Sequence, residues 1–481
     1  MKLLTTAEII DATGGRVLCS GPEEFIGLSI DSRTIQEGEL FLALRGERLD
    51  GHDFLRQALA KGAGTIVNRD RLQTVAEGIS QTAITEKDLP AGKTIIAVED
   101  TLRALHDMAR GRRRGFPGPV IGVVGSNGKT TTKELVVSIL NTRIGVIKTA
   151  GNFNNHIGLP LCMVRGGRDA GAMVLEMGTN RPGDVSLLCG IARPDLAVIT
   201  NIGCEHLEGF GSIEKVRDSE LEILPFLKSL VMNADDAFLM EGINGSFGGV
   251  KVTFGIDAAD AGVRAQDISF HDTGTKFSLW CEGGRIEVNS RLFGRFNVYN
   301  CLGAAAAGLA LGYDLDEIRR GLESFAGVPM RFEVRRRGAT TFLNDVYNAN
   351  PSSVEESLKE FVRVRQGSPH GRGIVVLGDM LELGDYGPEA HRRLGRLISG
   401  LPVDCFIGVG PLMSLAVSEF GGSGIVEATS EEAGNRLGGL LREGDTVLIK
   451  GSRGMRMERV LETLEKLETE TLPASGSGGP V

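Results

Sequence analysis

The sequence predicts an α/β protein in three domains: a small α/β domain, a central P-loop-type domain on a parallel sheet, and a C-terminal Rossmann-like domain. Three observations carry this reading. At 481 residues the chain is too long for one compact core. Short apolar strands alternate with helical runs through two long stretches, the pattern of parallel sheets with crossover helices. Between one such strand and its helix lies GSNGKT (125–130), a glycine-rich turn of the kind that cradles phosphate.

The first domain, 1–112, mixes strands such as GELFLAL (38–44) with helical stretches such as DFLRQALAKGA (53–63). After it, RGRRRGFPGP (110–119) is basic and rich in turn formers, and reads as a solvated linker. The central domain, 113–328, takes strands at 120–124, 172–176, 196–200 and 229–232. Its segment 298–312 is rich in alanine and small residues, as a helix packed closely on a sheet requires. The third domain, 329–468, opens near Pro329 and takes strands at 340–345, 373–379, 405–410 and 446–450. Helices between these predict a second doubly wound sheet. The closing residues, 469–481, have the composition of a disordered tail.

Composition narrows the function. A net charge of −9, one Trp and four Tyr exclude the basic footprint and aromatic platforms of nucleic-acid binders. Seven cysteines stand singly with no CxxC, as in a reduced, cytoplasmic protein. The start, MKLLTTAEII, lacks the apolar core and cleavage site of a signal peptide. No uncharged apolar run approaches the ~18 residues of a membrane span.

GSNGKT fails the strict Walker A spacing, because the position six before Lys129 is Val123 and not glycine. Its context is still that of a phosphate loop. Gly125 and Gly128 let the backbone turn tightly around Ser126 and Asn127, and Lys129, Thr130 and Thr131 open the helix whose N-terminus faces the anion. Lys129 suits the β/γ oxygens of ATP, and the Thr130 hydroxyl suits Mg²⁺. Alone, the loop supports no more than nucleotide-phosphate binding.

With the motifs that follow it, GSNGKT resembles the G-T/S-N-G-K-T loop of the Mur ligase family, whose loop lacks the early Walker A glycine. The likeness runs over roughly 25–460. TAGNFNNHIGLP (149–160) is similar to the family's asparagine-rich loop and offers Asn152, Asn154 and Asn155 to phosphate or substrate carboxylate, although by itself it reads as turn chemistry. In MVLEMGTNRPGDV, Glu176 stands at the family's metal-ligand position. In VITNIGCEHLEGFGSIEKVRDSELEI, His206 stands at the second metal's histidine. The same block departs from the family where a carbamylated lysine is usual, because Glu220 occupies that place and would supply the anion directly. GRFNVYNCLGAAAA keeps Asn297 and Asn300, the amides that meet adenine in the family, but has Phe296 for its histidine. Arg331 in GVPMRFEV stands at the hinge near Gly327–Pro329, where a guanidinium can neutralise γ-phosphate charge.

Two further segments bear on substrate. SIDSRTIQEGELFLALRGERLDGHDF (29–54) resembles the first domain of the family's late ligases of peptidoglycan precursor synthesis, which implies contact of Ser32 and Arg33 with a UDP-sugar-peptide. Its Asp50-Gly51-His52 also reads as a tight turn with local bonds. NDVYNANPSSVEESL (344–358) and VLGDMLELGDYGPEAH (376–391) resemble the family branch that adds a dipeptide. By that likeness Asp345 reaches the nucleotide, while Tyr347, Asn348, Asn350 and the 379–384 segment hold D-alanyl-D-alanine. The resemblance thus implies an ATP- and Mg²⁺-dependent ligase, monomeric as is common in the family, that joins D-alanyl-D-alanine to UDP-N-acetylmuramoyl-tripeptide through an acyl phosphate. The alternatives are another Mur-type amide ligase or a P-loop ATPase without ligase chemistry.

Overall fold

The computed structural model describes residues 3–73, 92–243, 245–367 and 371–471; most of the expected tail lies outside them. Three main sheets organise the chain. The first has five strands in the order Arg16–Cys19, Thr94–Val98, Gly64–Asn68, Glu39–Leu42 and Gly27–Ser29, parallel except for the first pair. DGHDF is a local structure, as its turn residues suggest: Asp50 accepts from the His52 N–H at 3.0 Å, and His52 Nε2 accepts from the Asn68 N–H.

The central sheet has nine strands. Its parallel part runs Val263–His271, Val250–Gly255, Ser229–Asn233, Leu196–Ile199, Val120–Val124, Ala172–Glu176 and Val146–Lys148. The continuous burial of its middle strands is what a sheet covered on both faces demands. Beyond Val263–His271 it is extended by two antiparallel strands, Gly274–Cys281 and Gly284–Ser290, which the strand–helix alternation did not anticipate. Helix Leu315–Ser324 lies along this edge, and Glu323 Oε1 accepts from the Asn289 N–H at 2.9 Å. The alanine-rich helix Arg295–Ala310 packs on the sheet through small residues, and a Cβ on Gly303 would sit 3.3 Å from Phe254.

The third sheet runs Glu333–Arg337, Thr340–Asp345, Thr446–Lys450, Gly373–Gly378, Cys405–Val409 and Gly424–Glu427, parallel except for its first pair. Among the described residues no helix is long and apolar enough to cross a membrane.

The basic run after residue 109 is not a linker. Residues 101–114 form one helix, and two of its arginines, Arg112 and Arg113, turn onto carbonyls. Arg112 donates to Gly166 O and Gly167 O, and Arg113 to Ala192 O, Arg193 O and the Asp195 carboxylate. A guanidinium presents five donors, so a cluster of arginines can serve carbonyl oxygens at helix ends that would otherwise lack partners. The same helix lies in a hydrophobic core shared by the first two sheets, where Phe25, Leu28 and Leu40 join Leu105, Val120 and Met173. Arg113→Ala removes several partly buried hydrogen bonds, about 1–3 kcal/mol, and is expected to lower the thermal unfolding midpoint by about 2–6 °C in a calorimetric scan; an unchanged midpoint would return this segment to the status of a linker.

Candidate active site

One cleft of about 1030 Å³ lies between the central and third sheets, with Glu47 of the first domain at its margin. Its floor is the GSNGKT loop. Gly125 and Gly128 have φ of +111° and +82°, and a Cβ on them would meet Thr200 Oγ1 at 2.4 Å and Asn300 Oδ1 at 2.2 Å. Both positions therefore require glycine twice over, for conformation and for space. Ser126 is spent on the loop itself, accepting from the Gly203 N–H at 2.8 Å. Helix Lys129–Leu140 begins at Lys129, so its first-turn N–H groups, Thr130 and Thr131 included, lack intrahelical acceptors and face an anion site.

Lys129 Nζ donates to Gly125 O at 2.5 Å, Ser126 O at 3.1 Å and Glu205 Oε1 at 3.2 Å. Burial alone would weaken the ammonium, but the carboxylates of Glu205, Glu220 and Glu176 outweigh it and hold its pKa above the ordinary lysine value. Glu220 is fully buried and its pKa is pushed up to about 7 by burial, with Glu205 adding to the rise and Lys129 opposing it. Its Oε2 accepts from the Gly125 N–H at 2.9 Å, while Oε1 is buried without a partner.

Thr130 Oγ1 stands at the centre of the cleft. It donates to Glu176 Oε2 at 2.8 Å and accepts from Arg331 Nη2 at 2.9 Å. Asn154 Nδ2 donates to Glu176 Oε1 at 3.0 Å, and the fully buried Lys133 ammonium lies 3.7 Å from the same carboxylate. Hydroxyl and carboxylate oxygens side by side, with Glu220 anchored to the Gly125 N–H through Oε2 and its Oε1 unpartnered, form a hard-oxygen donor set that fits Mg²⁺. Among the described residues no three His, Cys, Asp or Glu side chains are grouped around one point. Thr130 and Glu176 are together, whereas His206 is turned to Glu382 of the third domain, Nδ1 to Oε2 at 2.6 Å. Burial opposes the imidazolium, but its hydrogen bond to Glu382 and the charge of Glu205 hold the His206 pKa above the ordinary value.

Several expected contacts are otherwise engaged. Asn152 lines the cleft, but Asn155 Oδ1 accepts from the N–H groups of Ile157 and Gly158, so it caps the following helix. Asn300 Nδ2 donates to Asn297 Oδ1, and Asn297 Nδ2 to Phe293 O, so these amides buttress the loop wall before they meet any base. Phe296 packs edge-on against Phe332, with centroids 5.2 Å apart. Asp345 accepts from Lys450 Nζ at 2.6 Å and from the Ser357 hydroxyl. Asn348 is exposed at the rim, its Oδ1 accepting from the Arg453 N–H at 3.4 Å. Asn350 forms a ring with the loop: its Nδ2 donates to Asn127 Oδ1, Asn127 Nδ2 to Ser352 Oγ, and Ser352 Oγ to Asn350 Oδ1. Glu382, within the 379–384 segment, holds His206 and so faces the central domain. Tyr347 lies under the Arg331 guanidinium, 3.9 Å from the ring centroid. Ser32 and Arg33 do not line the cleft; Ser32 donates to Gln57, and Arg33 pairs with Asp31 at 80% side-chain exposure.

Glu205, Lys450 and Ser352 are site residues to which the motifs gave no role, and Glu382 was expected only as part of the 379–384 segment, for the dipeptide. The one signal for Glu205 is an acid directly before His206; the others depend on contacts between distant segments.

Three family models match in order: the Mur ligase family catalytic domain over 24–113, the Mur ligase middle domain over 123–308, and the Mur ligase glutamate ligase domain over 330–453. The UDP-N-acetylmuramoyl-tripeptide--D-alanyl-D-alanine ligase of Bacillus subtilis is 33% identical over 455 residues, covering 91% of this chain and 93% of that protein. MurF from Acinetobacter baumannii superposes with a TM-score of 0.84 at 29% identity, over 97% of this chain and 99% of that one. The MurF ligase of Thermotoga maritima, solved in complex with ADP, superposes with a TM-score of 0.77 at 30% identity, over 92% and 98%.

Glu205 pairs with the Lys129 ammonium at 3.2 Å and places negative charge in the phosphate loop. Glu205→Gln is expected to tighten ADP binding about tenfold by titration calorimetry; unchanged or weaker binding would show that Glu205 does not restrain the lysine.

Proposed function

The chain belongs to the Mur ligase family, and from the contents of its cleft we propose how its residues divide the work of that chemistry. It is an ADP-forming ligase that uses ATP to join D-alanyl-D-alanine to UDP-N-acetylmuramoyl-tripeptide in peptidoglycan precursor synthesis. The observation that carries the division of roles is the junction at Thr130, where the phosphate loop, the central-sheet carboxylate Glu176 and Arg331 at the entrance to the third domain meet.

Amide formation from a carboxylate needs a leaving group better than oxide, and ATP supplies it. The tripeptide carboxylate attacks the γ-phosphorus, the bond to the β–γ bridging oxygen breaks, and ADP leaves. Lys129, with the first-turn N–H groups of its helix, holds the phosphates; Arg331 offsets charge on the transferred group from the opposite side. Thr130 and Glu176, with Glu220 as a further anion, would hold Mg²⁺, which when bound would supply charge neutralisation at the phosphate oxygens. The dipeptide amine then attacks the acyl carbon and phosphate departs. Residues 113–328 hold ATP in this reading, and 329–468 bring the dipeptide. Residues 1–112 bind the UDP end, with Ser32 and Arg33 at their own surface. Asn152 and Asn154 face the tripeptide carboxylate, and Asn348 lies at the rim where the dipeptide enters. The closed arrangement, tied by His206–Glu382 and the Asn127–Asn350–Ser352 ring, keeps water from the acyl phosphate.

Phosphate release in the presence of ATP is expected to need both UDP-MurNAc-tripeptide and D-Ala-D-Ala; release without the dipeptide at the full rate would identify an ATPase instead. With Glu220 in place of a carbamylated lysine, activity is expected to be unchanged when bicarbonate is removed. Glu220→Ala is expected to lose about a hundredfold, with no recovery in acetate or formate. A requirement for bicarbonate would sink the assignment of Glu220.

A further inference from the structure

Resting on the ligase reading above, we propose that Tyr347 is a positioning residue for Arg331, acting on phosphoryl transfer and not on capture of the dipeptide. Two contacts and one missing contact point to it. The Arg331 guanidinium carbon lies 3.9 Å from the centroid of the Tyr347 ring, so the ring covers one face of the cation. The Tyr347 N–H donates to Met330 O at 3.1 Å, so the same residue also holds the backbone immediately before the arginine. The Tyr347 hydroxyl has no hydrogen bond to any described residue, so the ring face and the main chain are what it contributes.

Arg331 needs such support. Met330 and Phe332 on either side have φ of +65° and +52°, a region that side chains other than glycine rarely adopt. Phe332 is kept there by its N–H bond to Asp345 Oδ1 at 3.1 Å and by Phe296. Tyr347 does the same for Met330. Held in this way, Arg331 directs Nη2 to Thr130 Oγ1 at 2.9 Å, while its Nε is buried without a partner and is a donor left over for a phosphate oxygen. Removing the ring leaves a long, flexible guanidinium with one fixed hydrogen bond where a planar, oriented cation is needed.

The step concerned is the first one, in which the tripeptide carboxylate oxygen bonds to the γ-phosphorus and ADP is released. It involves no dipeptide, and that separates the two roles. In a rapid-quench single turnover with ATP and UDP-MurNAc-tripeptide alone, Tyr347→Leu is expected to form ADP about tenfold more slowly, and Tyr347→Phe to restore the rate to within about threefold. In steady state the Leu variant is expected to lower kcat at unchanged KM for D-Ala-D-Ala. Placed on Arg331→Ala, Tyr347→Leu is expected to add no further loss, because its effect passes through the guanidinium. A raised KM for D-Ala-D-Ala at unchanged kcat, or fully additive losses in the double variant, would overturn the proposal. The steady-state and double-variant measurements decide the matter even if ADP formation proves to await the dipeptide. A wild-type chain that releases no phosphate with all three substrates would instead refute the ligase reading, before any variant is compared.

Discussion

The hydroxyl of Thr130 is the smallest part of the cleft and the one on which the rest depends. It donates to a carboxylate at the end of a central-sheet strand and accepts from a guanidinium at the entrance to the third domain. A hydroxyl can do both at once because it carries one proton and two lone pairs. Strand Ala172–Glu176, helix Lys129–Leu140 and the segment that carries Arg331 must all be in register for this to happen, so the junction depends on the built phosphate loop and on the seating of Arg331 together.

Around it the charges are arranged in an unusual balance. Three buried carboxylates, Glu176, Glu205 and Glu220, share a small volume with Lys129 and Lys133, at a place meant for a polyanion. Buried anions are costly unless paired. Here Lys129 is partner to Glu205, Lys133 stands beside Glu176, and Glu220 leans on a backbone N–H with its second oxygen unsatisfied. Carboxylates and ammonium groups set side by side in this way suit a cation–phosphate complex better than either ion alone.

Much of this was legible in the sequence, for reasons that differ by residue. The loop was readable because Gly125 and Gly128 declare their backbone conformation, and the strands flanking it because burial on both faces leaves an unbroken apolar run. Arg331 and Glu176 were readable only through resemblance, since a lone arginine or glutamate has no local signature. What remained illegible is what is decided at long range. Glu205 is 76 residues from the lysine it pairs with, and Ser352 is 225 from Asn127. The basic run deceived for the same reason: Arg113 finds its acceptors 79 to 82 residues further on, and an arginine with unseen partners looks like a solvated one. Asn300 and Asn297 were found as amides, but which neighbours would consume them depended on how helix Arg295–Ala310 seats against the loop.

The two antiparallel strands that lengthen the central sheet bring a hazard that the molecule has also answered. A nine-stranded sheet ending in Gly284–Ser290 would offer a row of unpaired backbone groups to any other extended chain, its own copies included. Helix Leu315–Ser324 lies along that strand, and Glu323 takes the Asn289 N–H with a charged side chain that a foreign strand would have to strip of water and displace. At this edge the widest sheet is in this way guarded at one backbone donor and along one helix against pairing with a foreign strand.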